Sequence, residues 1–293
     1  MFKRIDHVMV LVRDAGLAFE TYAERLGFAV SWPVERYDGW ENAAVWLGNA
    51  SLELLSPLAG GGSTEGAFFA RALAERGEGV FMVAFDPGDI EGAVRELRER
   101  GVTVADPLAG SAGDGAGGQR RSFRTALISR QFTPGLNAFL CQYDPPFQPM
   151  DGGKGALKIK KLDHVVIATD DLEDAAAKWE RNLGLKATER LSRPLGSGFE
   201  VARLPVGDAF IELVQPVEET GRFAEQFKER GEGFFSISIE VDDLDAAMGY
   251  LQAKGARVSE PEPGIWPGSR VARVSRSSTH GVSIQLIERG PAQ

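Results

Sequence analysis

The 293-residue chain has a single cysteine, Cys141, which excludes an internal disulfide framework and a thiolate metal cluster. It has no apolar run of membrane-spanning length: the longest, such as 8–12, would make only a strand. Met1-Phe2-Lys3-Arg4 passes straight into a strand-like run, so no leader segment is expected. Positive charge is not in excess either. The formal net charge is −9, which argues against broad phosphate-backbone binding and still allows a local basic pocket. These absences predict a cytoplasmic protein whose partner is neither nucleic acid nor membrane. A homodimer is left open. At 43% hydrophobic, the chain has material for one large or two medium cores.

One short pattern occurs twice. Ile5-Asp6-His7-Val8-Met9-Val10 is echoed by Leu162-Asp163-His164-Val165-Val166-Ile167. Each copy is followed by an apolar run carrying one carboxylate, Leu52-Glu53-Leu54-Leu55 and Ile211-Glu212-Leu213-Val214. The His-to-Glu spacings are 46 and 48 residues, and the copies lie 157 apart. A duplicated unit with a His and a Glu on otherwise hydrophobic strands is the simplest reading.

Each half divides again. Four times a short β-run leads into an amphipathic helix closed by glycine: from Asp14 to Gly27, from near Asp89 to Gly101, from Leu172 to Gly184 and from Leu244 to Gly255. Hairpins are expected at 43–47 with 51–55, and at 200–204 with 209–214 around Gly207-Asp208. Short helices at 65–76 and 218–230 should join the quarters. The prediction is α+β, with βαβββ repeated four times. It places domains at 1–145 (modules 1–55 and 78–145) and 158–290 (modules 158–216 and 232–290), with a Pro/Gly-rich linker at 146–157. Residues 111–119 read as a loop. They contain a literal G-x-G-x-x-G that precedes a strand-like run rather than opening a helix, so no dinucleotide site is predicted.

These motifs resemble the vicinal oxygen chelate superfamily, which includes glyoxalase I, methylmalonyl-CoA epimerase and the extradiol dioxygenases. The first half also resembles a glyoxalase-like domain family, through Asp38-Gly39-Trp40-Glu41-Asn42, Leu52-Glu53-Leu54-Leu55 and Ser122-Phe123-Arg124-Thr125 with Phe139-Leu140-Cys141-Gln142. The resemblance implies two half-open barrels, each built from two modules. A metal would be held in each cup by one residue from the first strand and one from the last strand of each module. The implied ligands are His7, Glu53 and Gln142 in the first half, and His164, Glu212 and Gln285 in the second. The remaining position holds Met82 or Ser236. A thioether is a poor ligand for hard ions, and the two-histidine iron triad of ring-cleaving dioxygenases is missing.

A His/Glu/Gln set leaves coordination positions open for water and substrate. The ion, whether Zn, Ni, Co, Mn or Fe, would polarise a carbonyl while Glu53 or Glu212 moves a proton from the adjacent carbon. The expected activity is isomerase or lyase chemistry on a small oxygenated substrate. Arg124, Phe123 and Trp46 are candidate substrate contacts, with Arg121, Arg270, Arg273, Trp32 and Trp40 as further candidates. Other readings stay open: half-buried histidines that bind nothing, carboxylates paired with a buried arginine, glutamines that only hydrogen-bond, and a metal-free binding protein of the bleomycin-resistance type.

Overall fold

A computed structural model describes residues 1–60, 62–113, 120–146, 154–193 and 197–290. The first half contains β1 (Arg4–Leu11), α1 (Ala15–Phe19), β2 (Ala29–Tyr37), β3 (Trp40–Trp46), β4 (Ser51–Pro57), α2 (Thr64–Arg76), β5 (Gly79–Asp86), α3 (Ile90–Glu99), β6 (Leu108–Gly113), β7 (Arg120–Ile128) and β8 (Ala138–Asp144). The second contains β9 (Ile159–Ala168), α4 (Leu172–Leu183), β10 (Glu189–Ser192), β11 (Phe199–Val206), β12 (Ala209–Pro216), α5 (Arg222–Arg230), β13 (Gly233–Val241), α6 (Leu244–Ala253), β14 (Glu262–Pro263), β15 (Ser269–Val274) and β16 (Ile284–Arg289). Each module is βαβββ, and α2 and α5 join the modules within each half.

Each half forms one eight-stranded sheet. The orders are β2-β3-β4-β1-β5-β8-β7-β6 and β10-β11-β12-β9-β13-β16-β15-β14. The two modules of a half meet where their opening strands pair antiparallel, β1 with β5 and β9 with β13. Each opening strand also pairs parallel with its module's last strand, as β1 does with β4 and β9 with β12. His7 and Glu53 therefore lie on neighbouring strands, as do His164 and Glu212.

The helix signals form as the sequence reading expects. Asp14 and Asp89 each accept a backbone N–H three residues on, and Asp171 and Asp243, which the sequence reading does not name, do the same. Gly184 closes α4 in the left-handed region, φ 68°, which a residue without Cβ adopts freely. Two details differ. α1 runs on as a π-helical segment, Glu20–Arg25, and α5 begins at Arg222 rather than at 218. The loop expected at 111–119 begins as the end of β6, while 114–119 lie outside the described residues. So do 147–153 of the expected linker.

A second layer of structure comes from the last strand of every module. Its side chain accepts the first helical N–H of that module: Ser56 from Ala15, Gln142 from Ile90, Gln215 from Leu172 and Glu288 from Leu244. Such N–H groups have no partner within the helix, so four equivalent bonds pin four helices to two sheets.

The helix-facing sides of both sheets share one continuous core, containing Val8, Leu52 and Tyr22 from the first half and Val165, Ile211 and Trp179 from the second. The halves also lock reciprocally. Gly48, at φ +90°, packs so tightly on the second half that a Cβ would meet the Lys160 carbonyl oxygen at 2.1 Å. Gly207, at φ +65°, packs on the first, where a Cβ would meet the Lys3 carbonyl oxygen at 2.2 Å. Among the described residues no helix is long and apolar enough to cross a membrane.

Candidate active site

The opposite face of each sheet forms a cup. Leu52 and Leu54 belong to the helix-side core, so Glu53 and Leu55 face the cup by strand alternation. Glu212 is placed equivalently in the second half, between core residues Ile211 and Leu213.

In the second half, His164 Nε2 lies 3.3 Å from Glu212 Oε2. His164 Nδ1 lies 2.6 Å from Asp163 Oδ2, and Arg289 donates to both Asp163 oxygens at 2.9 and 2.7 Å. Asp163 directly precedes His164, so simple alternation would send the two to opposite faces. The β9–β13 register shifts at this point, and the bulge brings Asp163 round to the imidazole. Burial alone would raise the Asp163 pKa. The bonds from His164 and Arg289 outweigh it and hold the carboxyl well below the usual range.

Glu212 is buried, and its Oε1 accepts from Arg203 Nε at 3.0 Å, Arg203 Nη2 at 2.6 Å and Trp266 Nε1 at 2.7 Å. The Arg203 guanidinium lies 3.6 Å from the Trp266 ring centroid and 4.3 Å from that of Phe210. Gln285 faces the cup and accepts from Ser238 Oγ at 2.8 Å. His164, Glu212, Ser236 and Gln285 line a cavity of about 350 Å³ walled by Phe199, Phe223, Phe235 and Trp266.

The donor set of this half fits a divalent ion. When His164 donates Nδ1–H to Asp163, the Nε2 lone pair faces Glu212 Oε2 across 3.3 Å. Two acceptors so placed call for a cation or proton between them. Imidazole, carboxylate and amide oxygen suit a first-row ion, and Asp163 is the outer partner that orients the ring. Arg203 and Trp266 occupy only Oε1 and leave Oε2 directed at the cup.

The first half differs. His7 lies between Asp6 Oδ2 at 2.8 Å and Glu53 Oε2 at 3.3 Å, and Asn42 Nδ2 donates to Glu53 Oε1. Burial disfavours charge on His7, but the Asp6 bond and the Glu53 and Asp6 charges outweigh it, with Arg121 opposing. The net pKa is raised. Met82, Phe69, Phe81, Phe139 and Cys141 pack together in this cup, and the Phe139 ring lies 5.4 Å edge-on from His7. Ligand atoms of Asp6, His7 and Cys141 lie within 4.8 Å of one another. Burial nevertheless pushes the Cys141 thiol well up, away from the thiolate that ligation needs.

Gln142 is not in the cup, contrary to the sequence expectation. Its Oε1 accepts from Ile90 N and Arg124 Nη2 and its Nε2 donates to Gly88 O, so the side chain lies on the helix face. Phe139 holds the cup position, three residues before the helix-pinning residue, as Gln285 stands before Glu288. Arg124 lies on that same outer face, paired with Glu91. Phe123 does pack against the cup cluster. Trp46, half-buried at the end of β3, pairs across the sheet with Ser51 and Ala29 and is not part of that cluster. Arg270 pairs with Asp245 outside the cup, whereas Arg273 lines the second-half cavity. The sequence reading missed Asp163, Arg203, Trp266 and Arg289. Arg203 carried a signal, because the two-residue turn Gly207-Asp208 sets Arg203 directly opposite Glu212.

A glyoxalase-like domain family matches residues 5–163, and the glyoxalase/bleomycin resistance protein/dioxygenase superfamily matches 163–272. The chain belongs to the glyoxalase-like vicinal oxygen chelate superfamily. It is 32% identical to human mitochondrial methylmalonyl-CoA epimerase over 142 residues, which is 47% of this chain and 80% of that enzyme. It is 36% identical to an ethylmalonyl-CoA/methylmalonyl-CoA epimerase of Cereibacter sphaeroides over 111 residues, 36% of this chain and 81% of the relative. A mutant 4-hydroxymandelate synthase of Streptomyces coelicolor, at 15% identity, shares the fold over 100% of this chain and 94% of its own, with a TM-score of 0.69.

Proposed function

We propose that this chain is a divalent-metal isomerase or lyase that moves a proton on the carbon next to a thioester carbonyl, and that it works in the second-half cup. The observation that carries the reading is the cavity on which His164, Glu212 and Gln285 converge, in a chain whose relatives are named epimerases of acyl-CoA thioesters. A first-row ion held by His164, Glu212 and Gln285 would supply charge stabilisation at the carbonyl oxygen. The protein supplies the rest. Asp163 and Arg289 fix the His164 ring. Arg203 and Trp266 tie down Oε1 of Glu212, so that Oε2 is presented to the substrate as ligand and proton acceptor. Phe199, Phe223 and Phe235 exclude water from the reacting carbon. The first half, with Met82 and Phe139 in its cup, has a structural role. A single buried cysteine suits a cytoplasmic location.

The test is α-proton exchange of methylmalonyl-CoA in heavy water, followed by mass spectrometry with metal-loaded protein. Wild type incorporates one deuterium, and His164→Ala and Glu212→Gln do not. No exchange by fully metal-loaded wild type would overturn the proposal.

A further inference from the structure

The second-half cup opens sideways into a groove of about 470 Å³, and the two share Arg222, Phe235, Ser236, Arg273 and Gln285. The duplication supplies an internal reference, because the first half has the equivalent groove of about 670 Å³ in the same place. The correspondence is fixed by backbone bonds. Ser129 N donates to Thr103 O as Ser275 N donates to Arg257 O, and Ala105 N donates to Leu127 O as Ser259 N donates to Arg273 O. α2 and α5 end on matching glycines, Gly77 and Gly231, which sets Phe68 opposite Arg222.

Two arginines are common to both grooves, Arg76 with Arg230 and Arg130 with Arg276. The first groove has one further arginine, Arg71, which is paired with Glu75 and has Glu225 at the equivalent place in α5. Phe68, Thr103 and Leu127 of the first groove become Arg222, Arg257 and Arg273 in the second, and Met82 becomes Ser236. The first groove exposes Phe68 and Leu127 to solvent at 51% and 54%. The second holds five arginines facing Glu229, in a chain whose net charge is −9. Among the described residues the side chains of Arg222 and Arg257 make no hydrogen bond or ion pair, and Arg273 pairs with Glu262 at the cup rim. Desolvation first and the nearby Arg273 second lower the Arg222 pKa, with Glu262 opposing.

Resting on the reading of the cup as the reaction site, we infer that Arg222, Arg257 and Arg273 form a phosphate-binding groove that receives the phosphorylated tail of the substrate while its acyl end reaches His164. Guanidinium forks match phosphate oxygens in pairs. A tail anchored there commits the thioester to the second cup and leaves the first groove, with Phe68, Thr103 and Leu127 in place of the three arginines, without substrate.

The test is calorimetric titration of the full, metal-loaded chain with coenzyme A, with pantetheine as its phosphate-free counterpart, and with pyrophosphate. Coenzyme A should bind roughly 30-fold or more tighter than pantetheine, by an amount that shrinks as salt rises. Restoring the first-half residues in the triple variant R222F/R257T/R273L should remove most of that difference. R257T alone, at an exposed position, should remove part of it without threatening the fold. Equal affinity of wild type for coenzyme A and pantetheine, or an unchanged difference in the triple variant, would overturn the assignment. So would pyrophosphate that binds as tightly as coenzyme A without competing with it. Exchange measured on a phosphate-free acyl-pantetheine reports the cup chemistry separately, so either reading can fail while the other stands.

Discussion

Arg203 and Glu212 form a buried ion pair in which both guanidinium bonds, at 3.0 and 2.6 Å, fall on the same carboxylate oxygen. The other oxygen is left for His164. In the first half Ala44 stands across from Glu53 where Arg203 stands across from Glu212, so only one copy of the duplicated carboxylate is clamped in this way.

Removing the clamp while leaving the charge should be costly. Arg203→Met leaves Glu212 buried with Trp266 as its remaining donor to Oε1, and a loss of about 3–5 kcal/mol is expected. Urea unfolding of the variant beside wild type measures it. A loss under about 1 kcal/mol would mean that the pair is solvated.

Metal content separates the two halves. His164→Ala should lower the bound divalent ion well below one per chain, whereas His7→Ala should leave it unchanged, because Met82 and Phe139 fill the other ligand positions around His7. Elemental analysis of protein purified without chelator decides it. Dependence on His7 alone would reverse the assignment.

The Asp163 pair predicts an acid-sensitive contribution. A carboxyl with a depressed folded pKa stabilises fully above its unfolded value of about 3.9, and that stabilisation is lost as pH falls toward the folded value. Asp163→Asn should therefore be less stable than wild type near pH ~7, with the gap narrowing toward pH ~2.5. Denaturation midpoints at the two pH values test the sign, and a gap that widens in acid is the contrary result.

Gln142 should matter for stability and not for metal. Gln142→Leu strips the acceptor from Ile90 N and the donor to Gly88 O, at a cost of about 1–3 kcal/mol. A drop in metal content without a drop in stability would return Gln142 to the cup.

The contact between halves is equally open to test. Gly48→Ala combines a positive φ with a Cβ 2.1 Å from the Lys160 carbonyl oxygen. The backbone conformation alone costs about 1–3 kcal/mol, and the clash adds to it. The melting temperature of this variant beside Gly62→Ala, where a Cβ meets nothing within 4 Å, isolates the effect.

Local rules carried the fold a long way. Glycine marks the end of all four module helices and aspartate the start of the first two, because capping and left-handed turns act within a few residues. The site was less legible, for two physical reasons. Phe139, Leu140 and Cys141 are all apolar, so alternation could not tell the cup face from the helix face, and Gln142 was selected by side-chain type alone. Asp163 escaped because a bulge breaks the period on which strand faces are read. Arg203 is recoverable from hairpin register, because the turn at Gly207-Asp208 pairs it with Glu212.

The shared helix-side core has a consequence for descent. Tyr22 of the first half hydrogen-bonds the Thr279 carbonyl of the second at 2.8 Å, and Asn182 of the second reaches back to the Phe132 carbonyl at 3.0 Å. Each repeat thus serves as a wall of the other's interior. A lineage that deleted the copy with the filled cup would strip the hydrophobic cover from the copy with the open one. On the proposed assignment, selection on the second repeat preserves the first as scaffold, and its cup is free to drift toward solid packing while its helix-side face cannot.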